Sequence, residues 1–245
     1  MRLINFAWGR AFDFSSREAF SVFGISLLSG FILSFRMWGT DRFDVGVGVS
    51  NLFLFSIIFF LLFFVFLASQ KFVAALRGLS AKVTIWKYGP PLGVLVTLMS
   101  YGLIPFVFLG GVSLSEIPNL RLGKFRRTVV NVKEMLYVGL VGPLMLVFLS
   151  LLVFFPLFLL TEAQIFLSFV WVSSVILVVT ALPLPSLNGL NLLLKHRWVW
   201  LVYFLYAVFL YVLLGFIQRP VIYFFALFLS LAFAWLVKKL FHDNV

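Results

Sequence analysis

The 245-residue chain is 63% hydrophobic and 19% aromatic, and only 11% of its residues are charged. A soluble core of this size cannot hide so much apolar surface, so the composition excludes a soluble globular protein and predicts an integral membrane protein. The net charge of +11 comes from basic residues in short loops between apolar runs, which is typical of membrane orientation and not of nucleic-acid binding. The chain contains no cysteine, which excludes disulfides and thiolate metal sites.

The amino-terminal stretch 1–20, MRLINFAWGRAFDFSSREAF, is mixed and aromatic. It has no apolar core followed by a small-residue cleavage site, so we expect the first membrane span, and not a removed signal peptide, to direct targeting. Seven apolar runs follow, each near the roughly 20 residues that a helix needs to cross a hydrocarbon core of about 30 Å. These candidate spans cover residues 19–37, 51–69, 91–110, 137–160, 163–182, 198–217 and 220–237. The pattern predicts an all-α membrane protein with a single domain over residues 1–245.

The third candidate span, 91–110, decides the topology. If all seven runs cross with the amino terminus inside, fewer than half of the 19 basic residues lie on the inner side, which violates the positive-inside rule. If 91–110 dips in and returns, only Arg36, Arg42 and Arg219 lie outside. A glycine and a proline also interrupt the middle of this run, which favours broken backbone there. We therefore predict six crossings, a re-entrant element at 91–110, and both termini on the cytoplasmic side of the cell membrane.

Two stretches near this element do not have a helical pattern. They are AKVTIWKYG (81–89) and LRLGKFRRTVVNV (120–132), both rich in β-branched residues with partial alternation. The pattern predicts a short strand in each and a small β-sheet at the cytoplasmic face. The alternative is an ordinary basic loop held by anionic lipid.

The ionisable residues give no sign of a catalytic site. All eight carboxylates map to loops or span ends, which counts against a proton-driven carrier because such carriers place ionisable groups within the bundle. His196 and His242 each lie beside basic residues without a second ligand at i+3 or i+4, so we interpret them as interfacial anchors. There is no phosphate-binding loop and no nucleophile elbow. We expect no catalytic residues, no metal site and no cofactor.

Three short motifs nevertheless form an ordered set. LPLPSLNGL (182–190) resembles the Asn-x-x-Pro-x-x-Pro-x-Asp-Gly stretch of the site-2 protease family, which are intramembrane zinc metalloproteases. FLASQKFVAALRG (66–78) is similar to the family's His-Glu-x-x-His helix and the segment that follows it, and VGPLML (141–146) resembles the family's Ala-Gly-Pro-x-x-Asn. The motifs occur in the family's order, and the resemblance implies a site-2-protease-like core over about 51–195.

The resemblance also shows which chemical groups are missing. It places Phe66 and Gln70 at the two histidine positions, Leu67 at the glutamate position, and Asn188 at the aspartate that is the third zinc ligand. Phenylalanine has no lone pair, leucine cannot accept a proton, and neutral amides bind zinc poorly. The resemblance therefore implies a proteolytically silent homologue, a pseudoprotease. We expect Gln70 and Asn188 to face each other, either as an interhelical hydrogen-bonded tie or as groups that engage a client's backbone.

The leading functional hypothesis is a membrane protein that binds, retains or scaffolds transmembrane segments of client proteins. In the resemblance, a strand near the catalytic helix pairs with an extended substrate, and 81–89 lies where such an edge would be. The element 91–110 and the proline-containing loop are the candidate gate. The candidate client-binding residues are Gln70, Val83, Ile85, Pro183, Pro185 and Asn188.

Two alternatives stay open. One is a small-solute or lipid carrier that uses the former active-site hollow. The other is an intramembrane metalloprotease with an unrecognised site. The expected partners are the lipid bilayer and client transmembrane helices, without nucleic acid.

Overall fold

The computed structural model describes residues 2–39, 43–85, 88–107, 110–116 and 132–242. These ranges form helices and one two-stranded sheet. In chain order the elements are α1 (Arg2–Ala11), α2 (Ser16–Ser34), α3 (Val45–Leu76), β1 (Leu79–Thr84), α4 (Gly89–Met99), β2 (Gly111–Glu116), α5 (Val132–Leu149), a π-helical turn (Ser150–Phe154), α6 (Phe155–Thr161), α7 (Gln164–Ala181), α8 (Asn188–Lys195), α9 (Arg197–Phe216) and α10 (Ile222–His242).

Six helices in the described ranges are long and apolar enough to cross a membrane. They are α2, α3, α7, α9, α10 and the continuous helix that α5 forms with the π-helical turn and α6. Their number agrees with the six predicted crossings, and the chain is a multi-pass membrane protein. The remaining apolar run, 91–110, contributes only the 11-residue helix α4.

The helix α3 is longer than the predicted span 51–69. At its start, the Asp44 carboxylate accepts hydrogen bonds from two backbone N–H groups of the first turn, at 2.8 and 3.2 Å, which stabilises the end of the helix. At its other end, the helix carries Gln70 and Lys71 into the packed interior. Hydropathy falls at these first polar residues, whereas the helix itself stops just before Gly78, which takes a φ of 70°.

The chain between the two strands returns to the place where it started. β1 and β2 are antiparallel neighbours, with Thr84 opposite Gly111. Between them, α4 ends in a tight turn at Tyr101 and Gly102, whose φ angles are both positive, and the Gly102 N–H donates to the Thr97 carbonyl at 2.8 Å. Because both ends of 85–110 lie at one sheet edge, this segment cannot cross a membrane on its own.

The predicted sheet exists, but its strands differ from the predicted ones. β1 covers only the first part of 81–89, because Gly89 already begins α4, and the two prolines that follow it suit the first turn of a helix. Among the described residues the partner of β1 is β2, and the predicted strand at 120–132 cannot be compared, because the described chain resumes only at Val132, the first residue of α5. The β2 sequence GVSLSE was missed because it begins at the second glycine of the pair that closes the apolar run. Residues 117–131 lie outside the described residues.

The helix α3 lies at the centre of the core, and α5 lies beside it near the surface. Phe59, Phe63 and Phe66 of α3 are fully buried, and the rings of Phe63 and Phe66 stack with centroids 6.2 Å apart. By contrast, only 17% of the apolar window of the α5–α6 helix is buried, against 56% for α7. Prolines inside α5 and at the start of α6 remove backbone donors, which allows the helix to bend and widen locally. The outermost long helix is therefore also the most irregular one.

Candidate functional site

The three sequence motifs meet on one face of α5. A Cβ atom on Gly142 would lie 2.7 Å from the Phe66 ring and 2.9 Å from Gln70 Nε2. The close approach of α3 to α5 therefore requires a residue without a side chain at position 142. Three residues earlier, the Gly139 carbonyl accepts a hydrogen bond from Asn188 Nδ2 at 3.1 Å. Residues three apart share a helix face. The structure thus brings the motifs at 66–78, 141–146 and 182–190 together.

Gln70 is a fully buried amide with unmet hydrogen-bonding capacity. Neither Nε2 nor Oε1 has a hydrogen-bond partner within the described part of the chain. An unsatisfied buried polar group costs about 1–3 kcal/mol, and most such groups in folded proteins are paired. The amide of Gln70 therefore keeps a donor and an acceptor that no group in the described part of the chain uses.

The predicted hydrogen bond between Gln70 and Asn188 is wrong. Asn188 is buried, but its amide nitrogen donates to the Gly139 carbonyl and ties α8 to α5. The two amides approach α5 one helical turn apart, at Gly142 and at Gly139. Each amide therefore contacts α5, whereas the sequence predicted that they face each other. Phe66 and Leu67, the other two positions of the degenerate site, are fully buried parts of the hydrophobic core.

The loop before Asn188 is held by close backbone contacts. Pro183 and Pro185 are exposed on it, and Ser186 has a φ of 66°. Gly189 lies directly against the backbone carbonyls at the end of α7, and Gly111 of β2 lies directly against the Ser186 carbonyl. The loop therefore contacts β2 at the residue that directly follows the segment 85–110.

The two predicted client-binding residues of the sheet region are partly buried. Val83 and Ile85 both pack against the main hydrophobic core, and Ile85 also lies against Gly110, where the re-entrant segment returns. The backbone N–H of Val83 donates to Glu18 Oε1 at 2.7 Å. A side chain from α2 thus occupies part of the β1 edge that the sequence predicted to be open for a client.

Sequence reasoning missed a buried ion pair beside this edge. Lys71 Nζ lies 3.0 Å from Glu18 Oε2, donates to the Asp13 carbonyl at 2.7 Å, and sits 3.9 Å from the centroid of the Phe14 ring. The pair joins the α1–α2 connection to α3, and Glu18 extends the link to β1. A lysine directly after a buried glutamine in an apolar helix was the available signal, but the helix was predicted to end before it.

Two apolar grooves flank α5 and share Leu144. The first, of about 630 Å³, lies between α1, α3 and α5, and the second, of about 530 Å³, lies between α5, α9 and α10. Leu144, Phe148 and Leu152 are more than half exposed along the outer side of the helix. The outer surface of α5 is therefore apolar, and its inner face meets the buried amides.

Within the described residues, no three side chains of His, Cys, Asp or Glu come together as a metal-binding group. No family model, no curated protein and no solved structure matches this chain. The resemblance to site-2 proteases therefore rests on the three sequence motifs alone.

Proposed function

We propose that this multi-pass membrane protein binds transmembrane segments of other proteins beside α5 and does not cleave them. One observation carries the proposal: the fully buried Gln70 amide has both its donor and its acceptor without a partner in the described part of the chain, directly against Gly142. A locally unwound helix exposes one N–H and one C=O per residue, which is the complement of an amide side chain. In a membrane such groups must find partners within protein.

The position of Gln70 supports a client approach along α5. The outer side of that helix is apolar and lies between two grooves that open beside Leu144. Helix association in membranes depends on close packing at small residues and on polar contacts. Gly142 is such a small residue, and Gln70 is such a polar group. Pro143 and the π-helical turn make α5 the most deformable long helix, so a small displacement of α5 would admit a client to the amide.

The degenerate positions of the family motif support binding without hydrolysis. Phe66 and Leu67 supply neither a metal ligand nor a general base, and Gln70 and Asn188 supply only neutral amides. The re-entrant segment and the loop at Pro183 and Pro185 would bound the entry. Both termini and the sheet would lie on the cytoplasmic side of the cell membrane, as the charge distribution predicts.

Photocrosslinking in native membranes tests the proposal. A photoreactive amino acid at Leu144 should capture single-span membrane proteins, and the same group at Phe228 of α10, which is comparably exposed, should not. Capture at Leu144 should disappear when Gln70→Met removes the amide. Equal capture at the two positions, or capture that survives Gln70→Met, would contradict the proposal. Transfer of lipid or solute by the purified protein in liposomes without captured clients would favour the carrier instead.

A further inference from the structure

Within the part of the chain that the structure describes, one edge of β1 has no strand beside it. Within the described residues the sheet contains only β1 and β2. The Val83 N–H donates to Glu18 and not to β2, so Val83 and Val112 form a pair without hydrogen bonds between them. In an antiparallel ladder such pairs alternate with hydrogen-bonded ones. The backbone groups of Val83, Ala81 and Leu79 therefore point away from β2.

A polar cavity of about 430 Å³ runs along this edge. Five consecutive residues of β1, 79–83, form one wall of it. Its charged side chains are Arg10, Arg17, Lys71 and Lys82 against Asp13 and Glu18. The cavity is basic and would attract acidic groups, although its two carboxylates already neutralise part of the charge.

The Glu18 carboxylate has one local contact, in the capping box that it forms with Ser15 at the start of α2, and two long-range contacts, with Lys71 and Val83. Oε2 accepts from Lys71 Nζ at 3.0 Å and from the Ser15 N–H at 2.9 Å, and Oε1 accepts from the Val83 N–H at 2.7 Å. Lys71 is 3% exposed, so its charge needs a carboxylate partner in every state of the protein. On the Val83 N–H, Glu18 occupies the place that a carbonyl of an added strand would take.

We propose that the Lys71 ammonium and the Val83 N–H form an exchangeable carboxylate site. Glu18 fills this site when no client is bound, and an aspartate or glutamate of an extended client segment replaces it. The inference rests on the proposed function and names the part of the client that this site takes: an acidic stretch beside its transmembrane helix. Exchange keeps Lys71 paired throughout, whereas a neutral segment would leave a buried charge without a partner. The site therefore selects acidic strands.

The test uses the full chain in lipid nanodiscs and a short labelled peptide of alternating valine and glutamate, with binding followed by fluorescence anisotropy. A peptide with glutamine in place of glutamate should bind about tenfold more weakly, because charge-assisted hydrogen bonds are roughly twice as strong as neutral ones. Val83→Pro removes the N–H without breaking a bond to β2. This variant should lower the affinity for the acidic peptide by a similar factor. The matched control is Val112→Pro, which removes an N–H from the opposite edge of the sheet and should leave binding unchanged.

Glu18→Gln removes the competing carboxylate and should raise the affinity for the acidic peptide by about tenfold. The measurement uses a variant that elutes as a folded monodisperse species. Equal binding of the glutamate and glutamine peptides would overturn the inference, as would equal effects of Val83→Pro and Val112→Pro. The peptide-binding assay does not depend on Gln70, so each of the two proposals can be contradicted without the other. Lost peptide selectivity with intact Gln70-dependent crosslinking overturns only the carboxylate site, and the reverse result overturns only the proposed function.

Discussion

Gln70 of α3 and Asn188 of α8 approach the same face of α5, where Gln70 lies against Gly142 and Asn188 donates to the carbonyl of Gly139. The two buried amides have different hydrogen-bonding states. Asn188 is paired and joins two helices, whereas neither polar atom of Gln70 has a partner among the described residues. The Asn188 amide therefore has a structural role, whereas the Gln70 amide could pair with a ligand that reached it.

The close contact at Gly142 predicts a steric effect. Gly142→Ala places a methyl group 2.7 Å from the Phe66 ring, and we expect it to destabilise the protein by about 1–3 kcal/mol because the fully buried ring has to shift. The matched control is Gly215→Ala in α9, where nothing lies within 4 Å of the added atom. Thermal unfolding in detergent should show a lower midpoint for the first variant only. Equal midpoints would mean that α3 and α5 do not meet at this glycine.

The ion pair of Lys71 and Glu18 predicts a strong coupling between distant segments. Lys71→Met leaves the partly buried Glu18 carboxylate without its ammonium partner and should cost more than the roughly 1 kcal/mol of an exposed pair. Adding Glu18→Gln should recover much of this loss, because the unpaired charge is then removed as well.

The exposed pair of Arg10 and Asp13, 3.8 Å apart, provides the control for that cycle. Arg10→Met should change stability by less than about 1 kcal/mol, since exposed ion pairs contribute little. Additive losses in the cycle of Lys71 and Glu18 would contradict a buried pair.

The convergence of the three motifs predicts that a metal site can be restored. The variant with Phe66→His, Leu67→Glu, Gln70→His and Asn188→Asp should bind zinc, because positions 66 and 70 share a helix face and position 188 reaches the same face of α5. Metal analysis of the purified protein should find zinc at one equivalent. The triple variant that keeps Asn188 should hold much less. A folded quadruple variant without zinc would show that these positions do not meet as the family motif requires.

The crossing helices were predictable from the sequence, because runs of about 20 apolar residues leave few alternatives in a membrane. The charge count favoured six crossings, because placing 91–110 across the bilayer would move most basic residues to the wrong side, and in the structure both ends of 85–110 lie at one sheet edge. Helix ends were less predictable. The start of α3 depends on the Asp44 cap, and its end lies beyond two buried polar residues that hydropathy alone reads as a boundary.

The site was only partly predictable, and long-range pairing explains why. Glu18 and Lys71 are 53 positions apart and Asn188 and Gly139 are 49 apart, so no local pattern connects them. The motif order predicted that 66–70 and 188 lie together, whereas the structure places each of them against α5. The motif order could not show that Asn188 would bond to a backbone carbonyl and not to Gln70, since that depends on where α5 passes between α3 and α8.

The most direct test of the central claim compares stability and client binding in Gln70→Met, which keeps the side-chain length and removes the unpaired amide. We expect the variant to unfold at the same temperature as the unmodified protein or at a higher one, because no hydrogen bond to the described residues is lost and the desolvation cost of about 1–3 kcal/mol disappears. We expect it at the same time to lose client capture at Leu144. Asn188→Leu should lower the unfolding temperature, because the hydrogen bond to the Gly139 carbonyl is lost. A destabilised Gln70→Met variant that still captures clients would contradict the claim that Gln70 is kept for binding.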